Sequence, residues 1–169
     1  MCSKNIISTS SVILFIISFN NKASLKIPTL LLNVNIEKRI FINTIICMSL
    51  TLNKNIFEKY KNNHSIFIET GTYRGGSVDL ALNLGFEKIY SIDISVKFKT
   101  ELHEKYNEQI LNSNLEFLYG DSYIILDRLL KKVNQPCLIW LDAHYDLHSD
   151  VCGKYICPIL QELESIKNS

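Results

Sequence analysis

The sequence has no excess of charge of either sign, no apolar run of bilayer length, no Cys-x-x-Cys pair and no Gly-x-Gly-x-x-Gly fingerprint. Each absence removes a class of function. Eighteen Lys and Arg stand against seventeen Asp and Glu, for a net charge of +1, which gives no reason to invoke nucleic acid or an anionic surface as partner. Val12 to Ile17 is apolar but falls well short of the ~20 residues that a spanning helix needs. No membrane partner is expected. The five cysteines, Cys2, Cys47, Cys137, Cys152 and Cys157, are scattered and odd in number; they suit reduced thiols and a cytoplasmic setting better than a disulfide framework. Cys152 and Cys157 also lack the paired spacing of a structural zinc site.

What is present is the balance of a globular domain: 169 residues, 47% hydrophobic and 21% charged, enough for one domain of ordinary size. The first 47 residues do not read like the rest. They are rich in Ile, Asn and Ser, hold one acid, Glu37, and carry no motif. Lys4, the short apolar centre and Ala23-Ser24 can be forced into a signal peptide, but the preferred reading is a poorly ordered or non-native extension ahead of a start at Met48. Residues 1–47 are therefore expected to pack little against a domain spanning 48–169.

The chain is organised around Ile66 to Asp93. Ile66-Phe67-Ile68 has the character of a buried parallel strand, and it runs into Glu69 and the turn at Gly71. Gly75 and Gly76 allow a backbone to approach a ligand closely, and Ser77 can cap a helix or contact a ligand at its amino terminus. Val78, Leu80, Ala81, Leu82 and Leu84 form an apolar helix, which Gly85 stops in the left-handed conformation. Lys88 to Ile92 is a second strand ending in Asp93, about 20 residues past the glycine turn, where an acid commonly holds a ribose hydroxyl pair. The blander reading makes Gly71 and Gly75 a plain loop and Asp93 a helix cap.

Leu52 to Asn62 is spaced as a helix over the sheet edge. Past Asp93 the pattern repeats: a charged helix over Phe98 to Tyr106, a strand Leu115 to Tyr119 ending in Gly120-Asp121-Ser122, a helix Tyr123 to Lys132, then the strand Cys137 to Leu141 ending in Asp142. Asp121 can equally be the cap of its helix. Strand ends at Glu69, Asp93, Asp121 and Asp142 place four carboxylates along one rim, where open α/β sheets hold ligands. The expected fold is α/β, a Rossmann-like three-layer sandwich around a mainly parallel sheet. A nicotinamide cofactor fits poorly, because Glu69 would repel a pyrophosphate and attract a cation instead. Asp142 to Cys152 adds three carboxylates, two imidazoles and a thiol within eleven residues; this can hold a divalent metal or place His144 as a general base. Asp146, His148 and Asp150 read as a solvated loop, Glu162 and Glu164 as helix surface.

Glu69-Thr70-Gly71-Thr72-Tyr73-Arg74-Gly75-Gly76-Ser77 resembles the first motif of class I S-adenosylmethionine-dependent methyltransferases. It is most like the branch reading Glu-x-Gly-x-x-x-Gly-x-Ser, which includes small-molecule and sugar O-methyltransferases. The resemblance runs from about Phe57 to the end of the chain. It implies that Glu69, Gly71, Thr72, Gly75 and Ser77 bind the cofactor around its amino-acid portion, Asp93 its ribose, and Asp121 and Ser122 its adenine. Leu141-Asp142-Ala143-His144-Tyr145 resembles the branch's segment after the fourth strand, which implies catalytic roles for Asp142 and His144. In metal-dependent relatives the acid at Asp142 also binds a divalent ion such as Mg2+. The last strands and the later metal ligands of the family are expected to be missing beyond Ser169. A small-molecule acceptor is the expected partner, and an open sheet edge after the fourth strand invites another copy of the chain. Two other readings stay open: an NAD-dependent oxidoreductase and a catalytically inactive nucleotide-binding remnant.

Overall fold

The computed structural model describes residues 14–19, 42–48, 54–61, 64–145 and 150–169. Two strands come first, β1 (Leu14–Phe19) and β2 (Ile42–Met48), then helix α1 (Lys54–Lys61). Strands β3 (Ile66–Thr70), β4 (Lys88–Asp93), β5 (Leu115–Tyr119) and β6 (Cys137–Leu141) follow. Helix α2 (Gly76–Asn83) joins β3 to β4, α3 (Lys99–Lys105) and α4 (Asn107–Leu111) join β4 to β5, and α5 (Ser122–Leu130) joins β5 to β6. Helix α6 (Ile159–Lys167) closes the order. Among the described residues no helix is long and apolar enough to cross a membrane.

Strands β3 to β6 form a four-stranded parallel sheet, with β3 paired to both β4 and β6 and β4 paired to β5. From β3 the chain steps outward to β4 and β5, then returns to lay β6 on the other side of β3. The direction of winding reverses between β3 and β6. At such a reversal the connections leave the strand ends in opposite directions, and a crevice opens between them.

The unbroken apolar runs of β3 and β6 have a direct cause: every residue of both strands is buried, as central parallel strands covered on both faces require. Alternate residues serve opposite layers. Phe67, Leu138 and Trp140 point into one core with Phe57 of α1, Val78 and Ala81 of α2 and Leu102 of α3. Ile66, Ile68, Ile139 and Leu141 point into the other with Leu126 and Leu130 of α5 and Ile166 of α6. Phe57 anchors the first core, its ring 4.5 Å from that of Trp140 and 5.5 Å from that of Phe67. Burial of each such side chain contributes about 1.5–3 kcal/mol.

The expected stop at Gly85 is present. Gly85 has φ +71, its N–H bonds the Leu82 carbonyl and that of Phe86 bonds Ala81, the paired closure that satisfies carbonyls left over at a helix end.

At the amino-terminal side the structure differs from the expectation of little packing. β1 pairs antiparallel with β6, from Phe15 opposite Leu141 to Phe19 opposite Cys137, and β2 pairs antiparallel with β1. β2 runs across the boundary expected at residues 47 and 48, and the other residues before it lie outside the described ones. The physical reason is the edge itself: β6 presents unpaired N–H and C=O groups, and a β-branched and aromatic segment such as Leu14–Phe19 satisfies them. The edge after the fourth parallel strand, expected to be open, is thus covered by β1.

Candidate functional site

All four parallel strands end on the same side, and their carboxyl ends surround a cavity of about 240 Å3. Gly71, Asp93, Asp121, Ser122, Asp142 and His144 are all in its wall. Gly71 follows β3 with φ +87, and a Cβ there would lie 2.7 Å from the backbone carbonyl oxygen of Asp142. The glycine is required because the β3 turn presses on the end of β6, whatever the ligand.

Asp93 is held by two backbone donors, the Tyr73 N–H at 2.9 Å and the Ser95 N–H at 2.8 Å, one to each oxygen. The first bond helps hold Tyr73 at φ +48, a conformation that costs a bulky residue energy. Each oxygen keeps one lone pair for a ligand. Asp121 occupies the N-cap position of α5 but makes no capping bond, contrary to the blander reading. Among the described residues its carboxylate accepts only a long bond, 3.3 Å, from the Lys154 N–H, and Gly153 packs so close that a Cβ there would lie 2.8 Å from Oδ1.

His144 Nδ1 lies 2.8 Å from the backbone carbonyl of Asp142. A carbonyl only accepts, so Nδ1 carries the proton and the lone pair of the neutral ring sits on Nε2. The Asp142 carboxylate is 3.7 Å from Nδ1, too far for a hydrogen bond. Its buried Oδ1 has no hydrogen-bond partner among the described residues. Burial lifts Asp142 from 3.8 to about 6, and His144 opposes that shift.

Four residues expected at the ligand lie away from the cavity wall. The Glu69 carboxyl is fully buried and accepts hydrogen bonds from Ser77 and, at 2.5 Å, from Ser91. Thr72 Oγ1 is 2.5 Å from Ser91 Oγ; because Ser91 gives its only proton to Glu69, Thr72 is the donor. Desolvation, partly offset by the two serine bonds, raises Glu69 from 4.5 to about 8. The Glu69 carboxyl thus faces inward, bonded to the two serines, and not into the cavity where a direct attraction to a ligand cation was expected. Gly75, at φ +77, is not in the cavity wall; a Cβ there would lie 2.7 Å from the Tyr106 hydroxyl oxygen, so its freedom serves helix packing.

Two residues escaped the sequence reading. Ser91 is one; nothing in a lone serine of a strand reveals that the register sets it opposite Glu69. Glu162 is the other, and here the surface reading is overturned. Its carboxyl is fully buried on α6, and burial raises it from 4.5 to about 7. The hydroxyls of Ser122 and Thr70 lie close enough to favour its charged form, yet neither oxygen makes a hydrogen bond of ordinary geometry. Period counting would have found it, because Glu162, Ser165 and Ile166 share the buried face of α6. Glu164 is exposed, as expected.

Asp150 is exposed and accepts a 2.6 Å bond from the Ser95 hydroxyl. Asp146 and His148 lie outside the described residues. Among the described residues no three His, Cys, Asp or Glu side chains converge as metal ligands, so nothing there supports the ion expected at Asp142. A scan against protein-family models matches none, and a search of curated proteins finds no similar sequence.

Proposed function

We propose that this chain is a Rossmann-like S-adenosylmethionine-dependent methyltransferase, acting in the cytoplasm on an oxygen of a small molecule or sugar. The observation that carries the reading is the convergence of Asp93, Asp121 and Asp142, from three strand ends, on one cavity beside the Gly71 turn. The order of the parallel strands, third, second, first, fourth, supports the reading, since it matches the first four strands of the doubly wound nucleotide-binding sheet, whose ligand lies at the reversal. Asp93 would receive the ribose hydroxyls and Asp121 the adenine amine.

The sulfonium supplies an already activated methyl group, which leaves the protein the tasks of alignment and proton removal. His144 Nε2 is the atom suited to take the acceptor's proton, because the Asp142 carbonyl holds the ring by Nδ1. Four acids in the cavity wall, Asp93, Asp121, Asp142 and Asp150, favour a cationic ligand over the pyrophosphate of a nicotinamide cofactor.

Calorimetry with S-adenosylhomocysteine tests this. The wild-type chain is expected to bind it, and Asp93→Ala to weaken binding by about tenfold or more, as loss of a hydrogen-bonded charged group does. No binding by a folded wild-type sample, or an Asp93→Ala variant indistinguishable from it, would remove the reading.

A further inference from the structure

Six buried side-chain atoms of the described residues lack a hydrogen-bond partner, and four of them are Asp142 Oδ1, both Glu162 oxygens and Ser122 Oγ. Three elements bring them to one place, the end of β6, the start of α5 and the first turn of α6. Asp142 and Ser122 are in the cavity wall, and Glu162 is close enough to Asp142 and Asp121 for their charges to act on it. Three of the four atoms are carboxylate oxygens, and the donors nearest Glu162, the hydroxyls of Ser122 and Thr70, do not bond it in ordinary geometry. A buried, half-satisfied network of this kind is costly unless something completes it.

The Gly71 turn abuts Asp142, and the motif at that turn implies that the cofactor's amino-acid portion lies there. Glu69 is turned away and already bonded to Ser77 and Ser91, which leaves Asp142, in the cavity wall beside that turn, as the acid nearest the tail. An ammonium brings three donors and one positive charge, which matches the deficit. Resting on the methyltransferase reading above, we propose that Asp142, Glu162 and Ser122 form the subsite for the ammonium group of the cofactor's methionine tail, with Glu162 as its buried positioning residue.

The test is a cycle of one ligand change and one residue change, read by calorimetry. S-adenosylhomocysteine is compared with its deamino analogue on the wild-type chain and on Glu162→Gln, which keeps the shape and removes the charge. The wild-type protein is expected to favour the amine-bearing ligand by about tenfold or more, and the variant to lose most of that preference while binding the deamino analogue as the wild type does. Equal affinity for the two ligands in the wild type, or equal weakening of both in the variant, overturns the subsite and leaves the methyltransferase reading standing. Failure of both ligands to bind the wild type removes the reading itself and the subsite with it. Should Glu162→Gln not fold, the wild-type comparison alone still overturns the subsite if the two ligands bind alike.

Discussion

Ser91 on β4 donates its hydroxyl hydrogen to Glu69 on β3 at 2.5 Å, joining two neighbouring strands by a side-chain bond inside the protein. The pair stands directly opposite in the parallel register. Around it Thr72 and Ser77 complete a closed polar cluster under the Gly71 turn. An acid that looks from the sequence like a ligand contact is thus a fastening beneath the site, and its protonation is coupled to folding.

That coupling predicts a pH dependence. Burial lifts Glu69 from 4.5 to about 8, so the folded chain holds the proton more tightly than the unfolded one. Its contribution to stability is complete below about pH 4.5 and is lost as pH rises through 8. Glu162, raised to about 7, and Asp142, raised to about 6, act in the same direction over narrower windows. Urea melts are expected to show stability falling from about pH 5 to about pH 8, and Glu69→Gln to remove most of the slope between 7 and 8, where Glu162 and Asp142 contribute little. A slope that Glu69→Gln leaves unchanged between 7 and 8 would contradict the buried placement.

The same contrast shows how far the sequence was legible. β3 and β6 could be read because burial on both faces leaves an unbroken apolar run, and the rim of acids because parallel strands all end on one side. The direction of a side chain at that rim was not legible: it depends on register, which sets Ser91 opposite Glu69. Glu162 was hidden by its charge, since an acid on a helix is usually solvated, although its spacing to Ile166 marks the inner face. Pairing of β1 with β6 is a contact between distant segments that no local pattern announces.

Gly71→Ala is expected to destabilise the fold as well as the site. The substituted Cβ would meet backbone, the Asp142 carbonyl, at 2.7 Å, and φ is +87. Neither obstacle can be relieved by rotating a side chain, so a cost of roughly 1–3 kcal/mol or more follows. Chemical denaturation measures it; a change within a few tenths of a kcal/mol would show that the turn does not press on β6 as described.

Tyr106 and Lys105 give opposite predictions from adjacent positions. The Tyr106 hydroxyl is shared between the Gly75 carbonyl at 2.9 Å and Asp79 Oδ1 at 2.8 Å, and burial raises its pKa to about 12. Tyr106→Phe leaves those acceptors without it and is expected to cost about 1–2 kcal/mol. The Lys105–Asp79 pair is as short, 2.7 Å, but both side chains are nearly half exposed, so Lys105→Ala should cost about 0–1 kcal/mol. Melts of the two variants side by side check the ranking, and a larger loss for the lysine would reverse it.

His144 separates proton removal from cofactor binding. Its ring is fixed by the Asp142 carbonyl through Nδ1, it lines the cavity, and none of the polar contacts proposed for the nucleoside involves it. Within the methyltransferase reading, His144→Gln should lower kcat by about 10²–10⁴, the usual contribution of a positioned general base. S-adenosylhomocysteine affinity should stay within about twofold, since uniform binding and transition-state interactions are separable. Single-turnover rates and calorimetry on the same preparation decide it. Equal losses in rate and affinity would mean that the imidazole shapes the cavity instead of taking the proton, and the base would then have to be sought elsewhere on the rim.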